Sequence, residues 1–98
     1  MTGLLGKETT NKFMSDSYDI FMKRPVHESL KRLKGSKKRA IEKFIDYLSD
    51  NPFEIGDFSE SDDIGRQIYC KVIKNYAITY YPDHAVKEIK VIELVTTP

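Results

Sequence analysis

The sequence predicts an α+β domain with elements in the order β-α-α-β-β-β, in which a helical hairpin packs on one face of an antiparallel sheet. Two observations lead to this fold class. Residues 26–48 carry apolar side chains at the three- and four-residue spacing of amphipathic helices, whereas residues 66–95 are rich in Ile, Val and Tyr that alternate with polar residues. An apolar helix pair needs a sheet to cover it, so the two regions are expected to pack together.

Length and composition fit a single domain in the cytoplasm. A chain of 98 residues, 40% hydrophobic and 32% charged, is long enough for one modest core and too short for two. The lone cysteine, Cys70, excludes an internal disulfide and favours a reducing compartment. No stretch approaches the roughly 18 apolar residues of a membrane span, and the N-terminus lacks a signal-peptide pattern. A soluble protein without membrane contact is therefore expected.

Residues 1–16 are expected to form a flexible N-terminal segment, and residues 17–98 the folded domain. The segment is polar, contains Gly3 and Gly6, and has neither helical nor strand periodicity. Met14 stands just before the folded pattern begins, which makes it a candidate translation start.

A short strand and a first helix are predicted next. Tyr18, Ile20 and Met22 alternate along residues 18–23, as in a strand. Pro25 suits the first turn of the helix that follows. The apolar stripe of this helix consists of Val26, Leu30 and Leu33.

The second helix has the clearest periodic pattern. Lysines and acids fill its polar side, and its apolar side consists of Ala40, Ile41, Phe44, Ile45 and Leu48. Gly35 is expected to end the first helix and Ser36 to cap the second. Asn51 and Pro52 are expected to end the second helix. Because Phe44 lies in the middle of the apolar side, it is expected at the centre of the core.

Three strands are predicted after a loop at residues 53–65. The strands cover residues 66–73, 76–81 and 86–95, and the turns between them fall at residues 74–75 and 82–85. Strand alternation then assigns the two faces of the sheet. The row taken to face the helices consists of Ile68, Cys70 and Val72. Tyr69 and Lys71 then point to the open face, together with Thr79, Tyr81 and Lys90.

Charges are segregated along the chain, although the net charge is only +1. Six cations and no acid lie at residues 31–39, and five acids and no base lie at residues 54–63. The basic run can attract phosphates, or both runs can be solvated surface. The acidic run superficially suggests a calcium loop, but its spacing does not fit an EF-hand, so neither a metal nor a cofactor is predicted.

The order of the elements and several phrases resemble the RelE/ParE superfamily of toxins, also known as plasmid stabilisation proteins. The resemblance covers residues 17–95. Its pieces are the Leu30-Lys31-Arg32-Leu33 helix, the second helix that closes on Asn51-Pro52, the run KVIKNYAITYY and the last strand rich in Val and Ile. The acidic stretch GDFSESDDIGR before the sheet also looks like one branch of these relatives.

The resemblance implies the toxin of a type II toxin–antitoxin pair, held inactive by a cognate antitoxin. In the RelE branch the toxin is an endoribonuclease, an mRNA interferase that cuts mRNA in the ribosome and so inhibits translation. In the ParE branch the target is DNA gyrase.

Cleavage of RNA by its 2′-OH needs a proton acceptor, cations for the phosphorane-like charge and a donor for the leaving oxygen. The catalytic candidates are Lys71, His84 and Arg66, with His84 as the proton shuttle near neutral pH. The candidates for RNA binding are Tyr69, Tyr81 and Lys90, through base stacking and phosphate contact. The same side chains also fit purely structural roles in a solvated sheet or an antitoxin interface.

The chain departs from the RelE pattern at two places. RelE-type members carry an arginine directly after the tyrosine that opens the middle strand, whereas Ala77 follows Tyr76 here. They also carry a Tyr or His near the C-terminus, and this chain ends in Leu-Val-Thr-Thr-Pro. These departures favour an alternative, a catalytically silent or gyrase-directed module neutralised by an antitoxin. The basic run and Lys71 favour RNA cleavage.

Deletion of residues 1–13 should leave the melting temperature nearly unchanged, because no apolar period begins before Tyr18. Thermal unfolding of the full and shortened chains checks this. A drop of several degrees in the shortened chain would show that the segment packs on the domain.

Overall fold

The computed structural model describes residues 17–98, which form two helices and a five-stranded sheet. In chain order the elements are β1 (Asp19–Met22), α1 (Arg24–Arg32), α2 (Gly35–Asp50), β2 (Phe58–Ser61), β3 (Gln67–Ile73), β4 (Tyr76–Asp83) and β5 (Glu88–Thr96). The flexible segment predicted at residues 1–16, with Met14, lies outside the described residues. No helix within residues 17–98 is long and apolar enough to cross a membrane.

The strands lie side by side in the order β1-β5-β4-β3-β2. Strands β2 to β5 pair with their neighbours in antiparallel fashion, whereas β1 pairs with β5 in parallel. The predicted α+β class is therefore confirmed, but the sheet is mixed rather than wholly antiparallel. The reason is the crossover through the two helices, which lets the first strand join the sheet in the direction of the last.

The predicted loop at residues 53–65 is wrong in part, because it contains β2. All four residues of β2 are exposed, and β2 is held by its pairing with β3 rather than by burial. Gly56 makes the approach to β3 possible. It has a φ of +67°, and a Cβ there would lie 2.6 Å from the carbonyl oxygen of Cys70. Only glycine fits this approach without a shift of backbone.

The hairpin between β3 and β4 has the predicted turn. Lys74 and Asn75 have φ angles of 51° and 69°, as a tight two-residue hairpin requires. The second turn lies later than predicted, at residues 84–87, because Pro82 and Asp83 still pair with β5.

The second helix ends as predicted, but Gly35 does not end the first helix, because it is the first residue of α2. Leu33 ends α1, and the backbone N–H of Asn51 donates to the carbonyl oxygen of Leu48 at the end of α2. The cap predicted for Ser36 is wrong, since Ser36 lies inside the helix and Lys34 occupies the N-cap position without a side-chain hydrogen bond.

The core lies between the helices and one face of the sheet. Its most deeply buried side chains are Val26, Ile41, Leu48, Ile78, Tyr80, Ile89 and Val91. Phe44 is only partly buried and packs at the rim, with its ring centroid 5.7 Å from that of Tyr80. The central position predicted for Phe44 is therefore wrong. The buried side of α2 instead consists of the aliphatic side chains Ile41, Ile45 and Leu48.

Leu48→Ala should destabilise the fold by about 2–5 kcal/mol, because it removes a fully buried side chain and leaves a cavity. Phe44→Ala should cost less, since Phe44 lies at the rim. Urea denaturation measures both, with Lys43→Ala on the exposed side of α2 as a control expected within about 0.5 kcal/mol of wild type. An equal or larger loss for Phe44→Ala would contradict this description of the core.

Candidate functional site

The faces of the sheet are the reverse of those predicted for β3. Tyr69 lies directly opposite Tyr80, and Lys71 lies directly opposite Ile78. Directly opposite residues of antiparallel strands point to the same face, and Tyr80 and Ile78 are fully buried. Tyr69 and Lys71 therefore belong to the helix-covered face, and their predicted position on the open face is wrong.

Lys71 is held at the edge of the helix-covered face by one aromatic and one acidic neighbour. Its ammonium lies 5.9 Å from the centroid of the Phe44 ring and 3.5 Å from a carboxylate oxygen of Asp57. The Lys71 stem can pack against apolar surface while the charged end stays at the rim. The pKa of Asp57 is lowered, chiefly because its carboxylate accepts a 2.8 Å hydrogen bond from the Val72 N–H.

The open face carries the row that was predicted to be buried. It includes Ile68, Cys70 and Val72, of which Val72 is 40% exposed. Burial raises the pKa of the Cys70 thiol, with smaller contributions from nearby carboxylates. Cys70 is accordingly a weakly acidic thiol on a half-covered surface rather than a core residue.

Three of the predicted site residues, Arg66, Tyr81 and Lys90, come together on the open face. With Phe21, which was not predicted, they form a row that we call the cation–aromatic row. The Arg66 guanidinium carbon lies 4.1 Å from the centroid of the Tyr81 ring, and its Nη1 donates to the Tyr81 hydroxyl at 3.0 Å. Lys90 lies opposite Tyr81, and its Nζ lies 4.8 Å from the centroid of the Phe21 ring. Cationic and aromatic side chains thus alternate across the sheet.

Both cations of the row already have carboxylate partners. Arg66 contacts Asp62 at 2.8 Å, and Lys90 contacts Glu88 at 2.8 Å. The hydrogen bond to Glu88 raises the pKa of Lys90. Burial acts to raise the pKa of Asp62, but hydrogen bonds from the backbone N–H groups of Arg66 and Ile64, together with the Arg66 guanidinium, lower it overall. A phosphate must therefore compete with these carboxylates.

Further carboxylates share the open face. Cross-strand register places Glu60 opposite Ile68, Glu93 opposite Thr79 and Asp83 opposite Glu88. The row's cations are Arg66 and Lys90, whereas the carboxylates of this face include Asp62, Glu60, Asp83, Glu88 and Glu93. The described open face is therefore acidic in balance, which opposes RNA binding there.

His84 lies just beyond the end of β4, in the turn at residues 84–87, and is not a member of the cation–aromatic row. Its Nδ1 forms a 2.7 Å hydrogen bond with the Tyr18 hydroxyl, and its ring stacks on Phe53 with centroids 4.8 Å apart. These contacts fix the orientation of the imidazole, while the residue as a whole stays exposed.

The position of the expected arginine is apolar. Ala77 lies directly opposite Val72 on one side and Val95 on the other. Val72 and Val95 are 40% and 45% exposed. Val72, Ala77 and Val95 therefore form an apolar surface at this end of the open face, where the RelE pattern has a cation.

Sequence reasoning missed the partners of the site cations. Asp62 and Glu88 were not proposed as site residues, although Asp62 precedes Arg66 by four residues and Glu88 precedes Lys90 by two. Spacing by two along a strand places Glu88 and Lys90 on the same face, so this signal was present in the sequence. Phe21 was recognisable in the same way, as the residue of the first strand that points away from Tyr18, Ile20 and Met22.

The arrangement of the elements is that of the RelE toxin fold. Structural comparison over 82% of the chain gives a TM-score of 0.68 and 22% sequence identity with the archaeal RelE–RelB complex from Pyrococcus horikoshii, covering 94% of that chain. The RelBE2 toxin–antitoxin complex from Mycobacterium tuberculosis gives a TM-score of 0.63 and 13% identity over 82% of this chain and 98% of the other.

A free mutant form of the Escherichia coli toxin RelE also gives a TM-score of 0.63, with 12% identity over 82% of this chain and 83% of the other. No protein-family model and no curated protein matches the chain. At these identities the likeness shows the fold alone.

Asp62→Asn should weaken the fold more at neutral pH than in acid. A carboxyl whose pKa is lower in the folded than in the unfolded chain stabilises the fold above its ordinary pKa of about 3.9, and this contribution is lost as the pH falls through the lower folded value. Denaturant unfolding at about pH 7 and about pH 2 should show a wild-type advantage that is smaller at the lower pH. Asp63→Asn is the matched control, and an equal deficit of Asp62→Asn at both values would contradict the role of the charge.

Proposed function

We propose that this chain is the toxin component of a type II toxin–antitoxin pair, neutralised by a cognate antitoxin and acting in the cytoplasm. The observation that supports the proposal most is the RelE toxin fold over 82% of the chain, since two of the similar structures are toxin–antitoxin complexes. Fold by itself does not determine activity, so the proposal depends equally on the groups of the open face.

The proposed action is inhibition of translation by cleavage of mRNA at the ribosome. In this mechanism Arg66 and Lys90 exchange their carboxylate partners for the scissile phosphate and stabilise its developing charge. Tyr81 stacks on a base and keeps Arg66 in place through its hydroxyl. His84 is the proposed proton carrier, but its ring contacts Tyr18 and Phe53 outside the cation–aromatic row, so it can reach the RNA only around the edge of the sheet.

Tyr69 and Lys71 have a different part in this proposal, because they lie on the helix-covered face. Lys71 can reach RNA only around the edge of the sheet, after it leaves Asp57. Tyr69 packs against Tyr80, with ring centroids 5.9 Å apart. Support for their direct contact with RNA is therefore weaker than for the residues of the cation–aromatic row.

A second candidate is a non-cleaving module that keeps a protein-binding surface directed at the antitoxin or at DNA gyrase. Two observations favour it. The open face has more carboxylates than cations among its described residues, and the apolar group of Val72, Ala77 and Val95 lies where the RelE pattern has an arginine. Such a surface suits a protein partner better than a polyanion.

Controlled expression in bacteria should stop growth and produce new mRNA 5′ ends at ribosomal positions. The Arg66→Ala and Lys90→Ala double variant should lower the cleavage rate by about 100-fold or more, as the loss of groups that stabilise transition-state charge does. Lys43→Ala with Lys87→Ala removes the same charge elsewhere and should leave cleavage unchanged. The measurements are growth curves and 5′-end mapping.

Growth arrest without new 5′ ends would overturn the cleavage mechanism and favour the non-cleaving module. Absence of growth arrest, in cells that contain the folded protein, would overturn the toxin proposal itself. Circular dichroism of the purified variants separates loss of function from loss of fold.

A further inference from the structure

A second concentration of charge lies on the helical hairpin, away from the open face. The last residues of α1, the two-residue link and the first turn of α2 form a surface that we call the helical tip, residues 31–39. Its cations are Lys31, Arg32, Lys34, Lys37, Lys38 and Arg39, and it contains no Asp or Glu. All six are exposed except Lys38, which is half-buried.

Within residues 17–98, the cations of the tip differ from those of the sheet in having no carboxylate partner. Arg66, Lys71 and Lys90 each lie within 3.5 Å of a carboxylate oxygen. Across residues 17–98 none of the six tip cations forms such a pair, and the contact found for the tip is that of Lys37 with the Tyr76 ring at 5.8 Å. No ion pair among the described residues therefore neutralises the tip charge.

The tip lies at one end of the sheet, and the carboxylates of the open face extend to the other end. Arg32 shares a surface groove with Tyr76 and Thr96, beside the hairpin that carries Lys74. Asp83 and Glu88 lie at the opposite end of β4 and β5. The seven steps from Tyr76 to Asp83 correspond to about 23 Å at a rise of about 3.3 Å per residue.

This separation exceeds the screening distance of about 8 Å at physiological ionic strength. The two ends therefore act on a charged partner separately, although the formal net charge of the chain is only +1. This charge distribution favours contact of a polyanion with the tip over contact with the open face.

We propose that the helical tip is a docking surface for the phosphodiester backbone of a nucleic acid. Lysine and arginine contact phosphates without reading base sequence, so the binding is expected to be independent of sequence and strongly dependent on salt. A lipid surface fits less well, because interfacial helices also need a broad apolar face, and the tip exposes cations on both helices. The proposal is independent of the toxin assignment, since it concerns binding by the purified chain.

The test compares two triple variants with the same loss of charge. Lys31→Gln, Lys34→Gln and Arg39→Gln neutralise the tip, whereas Lys23→Gln, Lys43→Gln and Lys87→Gln neutralise exposed lysines elsewhere. Fluorescence anisotropy measures binding to a short single-stranded RNA and to a duplex DNA between about 50 and 200 mM salt. For RNA, the tip variant should reduce the slope of log K against log salt by about 2, at about 0.7 for each lost phosphate contact. The control variant should keep the wild-type slope.

Stronger binding of the RNA or of the DNA identifies which backbone the tip prefers, and either result supports the proposal. Unchanged salt slopes in the tip variant, or equal losses in both triple variants, would overturn it. If the tip variant binds both nucleic acids normally but fails to inhibit purified DNA gyrase, the tip is a protein-binding surface and the proposal is also wrong. Growth arrest is measured in a separate experiment, so the binding results can be interpreted even if the toxin proposal fails.

Discussion

The burial of Tyr80 is the constraint on which the arrangement of the other groups depends. Its ring lies under α2 against Phe44, directly opposite Tyr69, and its hydroxyl donates to the carbonyl oxygen of Glu54 at 2.9 Å. Burial raises the pKa of this hydroxyl, so it remains a neutral donor at physiological pH. One side chain thus links the second helix, the following loop and two strands. It also determines which face of the sheet each neighbouring residue occupies.

Most of the fold could be predicted from the sequence, because the helices and the three long strands follow strong local patterns. The two face assignments of β3 could not be distinguished, since both of its rows contain apolar side chains. Tyr69 and Lys71 combine an apolar body with a polar end, so they can pack under a helix as well as in solvent. Strand β2 has no alternation of its own and exists through its pairing with β3. Pairing of that kind leaves no periodic signal in the sequence.

The site was predicted less well, for a related reason. Arg66, Tyr81 and Lys90 were expected at the open face or its rim and lie together in the cation–aromatic row. Their electrostatic surroundings were not predicted, because carboxylates from several strands meet only when the register is known. The sheet cations Arg66, Lys71 and Lys90 therefore form ion pairs, whereas none of the tip cations forms one with another residue of 17–98. The basic and acidic residues that are separated along the chain are therefore also separated in the folded structure.

Strand β2 has a consequence for the behaviour of the protein at high concentration. Among residues 17–98 it forms an outer edge of the sheet, where backbone N–H and C=O groups are not paired with a further strand. The strand is only four residues long, carries Glu60 and leads into Asp62 and Asp63. Short length and negative charge both oppose edge-to-edge association between identical chains, which repel one another there. No other element of residues 17–98 pairs with this edge. The negative charge of the acidic run therefore opposes aggregation through it.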